Sequence, residues 1–291
     1  MARPQIAPYV LDKKKRRKKV RLYVLAALGL FALYGIFFGI VWIFMRSPLF
    51  RVDAVTVTGA PGVPTSTVVA LVEADPSGKM RSGWFGAVFG WGSMLAWPSG
   101  AVPTSTLAMA PELSSVTVSK NYVTHTVTID AAERQPFGIW CFVPGGAPQA
   151  SGASATGPSA PPGEQCYWFD DTGVMFERSL STTGNLIYMV SDYSQKDRGL
   201  GNTVLPAQFN DNFLSIMDVL RGLGLGIKAI DLKDLSLEEV DVETAPGPLL
   251  EFSLRFPANE YLPVLQNLVA QPGFNTIQYV DCRTRGRIFY K

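Results

Sequence analysis

The sequence predicts an α+β protein: a single N-terminal transmembrane helix, a β-α-α-β-β domain, and then a mixed β-sheet domain with two helices. Three observations carry this. One uncharged apolar run stands near the start. Short runs with period-two alternation follow it, and two helical-period segments interrupt the later ones.

The anchor comes first. Leu22 to Met45, "LYVLAALGLFALYGIFFGIVWIFM", contains no charged residue. At ~1.5 Å per residue a helix of this length reaches ~36 Å, enough to cross a ~30 Å hydrocarbon core with some tilt. Seven consecutive Lys and Arg, Lys13 to Lys19, precede it, and Arg46 follows. That asymmetry orients residues 1–21 as a basic cytoplasmic tail and puts the body outside the cytoplasm. The run is too long for the apolar core of a cleaved signal peptide, and "MRSPLF" offers no small-residue cleavage site. Residues 1–46 hold ten of the 26 Lys and Arg and one of the 24 acids, leaving the body about seven charges negative. The basic run beside an apolar helix therefore reads as attraction to anionic headgroups, not as nucleic-acid binding.

Residues 46–135 read as the first domain. "VDAVTVTG" alternates Val55 and Val57 with Thr56 and Thr58, a strand pattern. Thr65 or Ser66 opens a helix carrying Val68, Val69, Leu71 and Val72. A short helical piece ends near Pro111. Two strands follow, with Val116 and Val118 sharing one face and Val127 and Ile129 sharing another. The sole histidine, His125, reads as the start of the second of these strands. Between the helices lies "RSGWFGAVFGWGSMLAWPSGA". Its Trp84, Phe85, Phe89, Trp91 and Trp97 either rest on the bilayer interface as an aromatic foot or pack inside the domain.

Residues 136–291 read as the second domain. Cys141 and Cys166 flank "FVPGGAPQASGASATGPSAPPGEQ", expected to be a disordered loop over 143–165 joining two strands. If those strands pair outside the cytoplasm, the cysteines form a disulfide at the loop's neck; otherwise they are two reduced thiols. Cys282 has no evident mate. Asp170, Asp171 and Gly173 mark a hairpin turn. The first helix carries Phe209, Phe213, Ile216, Met217 and Leu220 on one face and ends at Gly222. Strands are expected at Ile227–Leu232, Leu237–Val242 and Leu249–Arg255. A second helix with Pro263 in its first turn follows, and then a final strand through "NTIQYVDCRTRGRIFYK".

The sequence carries no nucleophile elbow, phosphate loop, dinucleotide fingerprint or Cys/His metal cluster, so no enzyme activity, metal or cofactor is expected. In one continuous final strand, Arg283, Arg285 and Arg287 share a face about 6.7 Å apart. They either meet acids on an added strand or form part of a solvated turn.

"SPLFRVDAVTVTG" behind the anchor, Glu133-Arg134-x-Pro136 with Trp140, "WFDDTGVMF" with Asp170 or Asp171 and Gly173, and Val280-Asp281-x-Arg283 together resemble the bacterial cell-division FtsQ/DivIB family. The match spans most of Ser47–Lys291, with Cys282 where the family has leucine. The resemblance implies a POTRA domain over 46–135 and an FtsQ-type β domain over 136–291. It implies a non-enzymatic divisome scaffold in the cytoplasmic membrane at the septum. FtsB/DivIC-like and FtsL-like proteins would bind its C-terminal edge at Arg283, Thr284, Arg285, Gly286, Arg287, Ile288, Phe289 and Tyr290. The alternative is a POTRA-type translocation or envelope-assembly factor.

Overall fold

In the computed structural model, residues 8–45, 47–74, 92–144, 164–180 and 187–291 are described. They fall into two compact units. One lies within Met1–Thr56, Pro76–Gly100 and Val118–Thr128; the other lies within Val57–Asp75, Ala101–Thr117 and Ile129–Lys291.

The protein is mixed α+β, with one N-terminal apolar helix and two sheets. Helix α1 runs Pro8–Met45, so the basic residues 13–19 are helical too. Its stretch Lys19–Ile43 is long and apolar enough to cross a membrane, and none of it is buried in the protein.

The four-stranded sheet contains β1 (Ala54–Thr58), β2 (Gly100–Ala101), β3 (Leu113–Asn121) and β4 (Thr126–Glu133), in the order β1-β4-β3-β2. Thr56 Oγ1 donates to Thr128 Oγ1 at 3.2 Å, and Thr58 Oγ1 donates to Asp130. That in-step advance shows β1 running parallel to β4. Helices α2 (Thr65–Ala74) and α3 (Thr104–Leu107) belong to the same stretch of chain. Val68, Leu71 and Val72 of α2 are buried, as are Val116 and Val118 of β3 and Val127 and Ile129 of β4. These are the faces that the two periodicities predict. By contrast, Val55 of β1 stays exposed.

Two expectations change here. His125 is not in a strand: it sits in the β3–β4 turn at φ 55, a left-handed conformation that His adopts more readily than most residues. Its Nδ1 lies 3.1 Å from the Arg51 carbonyl oxygen. Trp97 is only 5% exposed, so it packs inside the protein and does not serve as a membrane foot. Trp84, Phe85, Phe89 and Trp91 lie outside the described residues, as does 145–163 of the expected loop. That loop is narrower than expected at both ends, since Val143 is buried and its N–H donates to the Asp192 carbonyl at 2.8 Å, and Gln165 opens a strand.

The nine-stranded sheet contains β5 (Gly138–Phe142), β6 (Gln165–Phe169), β7 (Met175–Ser179), β8 (Met189–Asp192), β9 (Ile227–Leu232), β10 (Glu239–Thr244), β11 (Leu249–Ser253), β12 (Tyr279–Thr284) and β13 (Arg287–Tyr290). Their order is β13-β12-β11-β10-β9-β8-β5-β6-β7. The pairs β5–β8, β8–β9 and β11–β12 are parallel, and the other described pairs are antiparallel.

Helices α4 (Ala207–Leu223) and α5 (Leu262–Val269) contribute to this sheet's core, where Phe213, Ile216, Met217, Leu220, Leu265 and Leu268 join Val190, Ile230, Val242, Phe252 and Val280. Helix α4 continues past Gly222 and ends at Gly224, whose φ of 62 supplies the left-handed cap. Cys282 lies in this core, and burial pushes its thiol up to about 12. It serves there as a small apolar residue.

Cys141 and Cys166 are register partners on β5 and β6, and they are joined by a disulfide. Among the described residues, Cys141, Glu164 and Cys166 form the one Cys/Asp/Glu/His group compact enough for a metal ion. Both of its sulfurs are taken up by the disulfide.

Candidate functional site

The predicted binding segment is a hairpin, not one strand. β12 ends at Thr284, Arg285 and Gly286 turn, and β13 returns antiparallel with Asp281 opposite Phe289 and Val280 opposite Tyr290. Gly286 at φ 71 permits the reversal, and the Tyr261 phenol holds it. That hydroxyl donates to the Thr284 carbonyl at 3.0 Å and accepts from the Gly286 N–H at 3.2 Å. Burial raises the Tyr261 pKa.

This fold corrects the three-arginine face. Arg283 lies on β12 and is already bound, 2.9 Å from Asp281, 3.0 Å from Glu239 and 3.1 Å from Glu251. Those hydrogen bonds, Asp281 foremost, hold Arg283 charged, and the same bonds lower the Asp281 pKa. Glu251 is raised instead, because its burial outweighs the pull of Arg283. Arg285 sits in the turn, and Arg287 opposes Thr284. Arg285 and Arg287 are exposed and form no salt bridge among the described residues. Arg283 and Arg287 do not share a strand face, because a two-residue reversal separates them.

What remains is a sheet edge. β13 is the last strand in the order, with β12 on one side and no described strand on the other. Gln278 N–H donates to the Lys291 carbonyl at 2.6 Å, and Lys291 N–H donates to the Tyr279 carbonyl at 3.3 Å. Backbone groups alternate in direction along a strand, so Ile288 and Tyr290 turn their N–H and C=O outward. Their side chains line a groove of about 410 Å³ with Tyr261, Val264 and Leu268 of the neighbouring helical segment. Val264 is 54% exposed and Tyr290 58%. On the opposite face Phe289 is also exposed.

Of the eight predicted residues, Arg287, Ile288, Phe289 and Tyr290 form the edge. Arg285 flanks it. Arg283, Thr284 and Gly286 build the hairpin. Sequence reading missed Tyr261, Val264 and Leu268. The signal was present in "YLPVLQNLV", where Val264 falls off the buried Leu265–Leu268 face of α5.

The other motif residues form a lock at the far edge. The Arg134 guanidinium donates to Asp170 through one nitrogen and to the Pro111 carbonyl through Nε at 2.9 Å. Asp170 Oδ1 accepts from Thr172 N–H at 3.0 Å, Thr172 Oγ1 at 2.7 Å and Val174 N–H at 2.9 Å. Asp170, rather than Asp171, is therefore the aspartate of the turn. Gly173, at φ 79, has no room for a side chain: an added Cβ would fall 2.3 Å from Asn210 Oδ1. Trp140 is fully buried, with its ring edge-on to Phe213 at 5.1 Å.

Compared with models of known protein families and with curated proteins, the chain matches none.

Proposed function

We propose that this chain is a non-enzymatic divisome scaffold of the FtsQ/DivIB kind, docking FtsB/DivIC-like and FtsL-like partners by strand addition to β13. The carrying observation is an unpaired edge strand beside a mostly apolar groove, whose lining also includes Glu260, Asn267 and Gln271. A strand added to β13 would satisfy the outward N–H and C=O of Ile288 and Tyr290. Its alternate side chains would fall against Val264, Ile288 and Tyr290. Acidic residues on that strand would meet Arg285 and Arg287, which sets register and speeds encounter.

Three further observations support the reading. β1, α2, α3, β3 and β4 follow one another in the β-α-α-β-β order of a POTRA domain, with the two-residue β2 added. The Arg134–Asp170 ion pair joins one residue of the Glu-Arg-x-Pro stretch to one of the Asp-x-x-Gly stretch. The Cys141–Cys166 disulfide suits a body outside the cytoplasm, with the basic N-terminus inside.

The test is affinity capture from native membranes of the full-length protein and its Ile288→Pro form. Proline removes one outward N–H and blocks pairing on the open side; it also gives up the packing of Ile288 against the sheet's core, so the variant is compared only where far-UV and near-UV circular dichroism show it folded. Small single-span coiled-coil proteins should co-purify with the parent and be lost from the variant. Equal capture by a folded variant would sink the strand-addition reading.

A further inference from the structure

The turn between β3 and β4 is unusual for what it exposes. Turns are normally built from polar residues and glycine. This one reads "NYVT", with Val123 89% and Tyr122 48% exposed. It is also firmly built. Asn121 Oδ1 accepts from Val123 N–H at 3.0 Å and from Thr124 N–H at 3.2 Å, which holds both side chains outward.

The tip is tied to the chain as it leaves α1. The Phe50 and Tyr122 rings meet edge to face at 6.3 Å. Asp53 N–H donates to the His125 carbonyl at 2.9 Å, and His125 Nδ1 lies 3.1 Å from the Arg51 carbonyl. Phe50 follows the last residue of α1, Met45, by five positions, so it stands at most ~18 Å from the helix end even with the chain fully extended. Part of that stretch, Pro48–Phe50, is a 3₁₀ turn, which shortens the reach. The headgroup layer outside the hydrocarbon core is itself roughly 5–8 Å deep on each side. On the described segments 47–53 and 118–125 the cations are Arg51 and Lys120, and Asp53 is the one acid.

We propose that the Tyr122–Val123 tip seats in the headgroup layer of the bilayer that α1 spans, giving the body a second membrane contact beside its anchor. An aromatic with a polar tip suits that layer, and Val123 would reach toward the acyl boundary. The contact would fix the tilt of the anchor-proximal unit. The proposal rests on α1 crossing the bilayer.

The experiment uses full-length protein in phosphatidylcholine–phosphatidylglycerol vesicles, with one nitroxide attached at Val123→Cys, Leu237→Cys or Ile36→Cys in turn. The native thiols interfere little, since Cys282 is buried and the other two are bonded. Collision rates with oxygen, which favours lipid, and with a water-soluble nickel chelate report depth. The oxygen-to-nickel ratio at 123 should exceed that at the exposed Leu237 site severalfold and stay below that at Ile36, inside the spanning segment. A ratio at 123 equal to that at 237, with 36 still lipid-exposed, overturns the proposal. If 36 is also water-exposed, the anchor reading falls and the proposal falls with it.

Discussion

The nine-stranded sheet ends in two differently treated edges. At β7 the chain covers the start of its own edge. Met175 N–H donates to the Asn202 carbonyl at 2.9 Å, Gly201 N–H donates back to Met175 at 2.8 Å, and Val174 bridges Thr203. Arg134 and Asp170 fasten the turn leading into that strand, and a disulfide ties the next two strands together. At β13 the edge carries exposed aromatics and borders a groove. Proteins usually blunt such edges with short strands, charges or covering loops. Here one edge is covered at its start, over Val174 and Met175, while the other is only short and flanked by Arg285 and Arg287. The difference teaches that edge protection is applied selectively, so the uncovered edge is where strand addition has a template.

The largest expected effect breaks the closed edge. Arg134→Ala leaves the carboxylate of Asp170, whose side chain is only 4% exposed, without its cation. Removing one partner of a buried pair costs about 3–5 kcal/mol. Denaturation of the full-length protein in detergent micelles should show a loss of that order, with capture of partners unchanged under conditions where the variant stays folded. A loss no greater than the ~1 kcal/mol typical of surface pairs would mean that the lock does not secure this edge.

Midway between the edges, Asp231 supplies a reference that moves stability the other way. Burial foremost, then Glu243 and Asp241, push its carboxyl up from 3.8 to about 6, against the opposing pull of Lys233 and Lys228. Tyr193, also nearby, is raised chiefly by burial, with Asp231 adding to it. Because the folded-state pKa lies above the unfolded one, the folded protein holds the proton more tightly. The resulting stability is fully present below pH about 4 and is lost as pH rises through about 6. Asp231→Asn should therefore stabilise the protein above neutrality by about 1–2 kcal/mol, after a discount for partial solvent screening, and do little near pH 4. Equal denaturation midpoints for parent and variant at both pH values would remove Asp231 from the account.

The two edges were also unequally legible in sequence. Asp170 and Gly173 announce the closed-edge turn, because a carboxylate that captures successive N–H groups and a glycine at positive φ are local devices. The cover from residues 199–204 is not legible, since it depends on contacts remote from β7 in sequence. At the open edge, "CRTRGRIFYK" lacks the Asn-Gly or Asp-Gly signature of a tight hairpin, so the sequence admits both a continuous strand and a solvated turn, and the structure has the turn. Only Gly286 marked the turn. Core faces were plain wherever periodicity alone decides them, as at Phe213, Ile216 and Leu220 of α4. Cys282 was legible as unpaired, but its apolar role depends on the core around it.

The smallest stability effect belongs to the open edge, and it sharpens the comparison most. Tyr290 is 58% exposed and Phe289 49%, on opposite faces of β13. Each ring is still about half buried, so replacing either by serine should cost about 1 kcal/mol. The two variants should part company in binding. Tyr290→Ser removes a wall of the groove and should weaken capture about tenfold, as expected when a central aromatic contact is truncated. Phe289→Ser touches the face bearing Asp281 and Arg283, away from the groove, and should weaken capture much less. Capture measured side by side at matched protein levels decides the matter. If Phe289→Ser is the more damaging change, the partner's side chains lie on the acidic face of the sheet, and β13 would serve as an edge without using the groove.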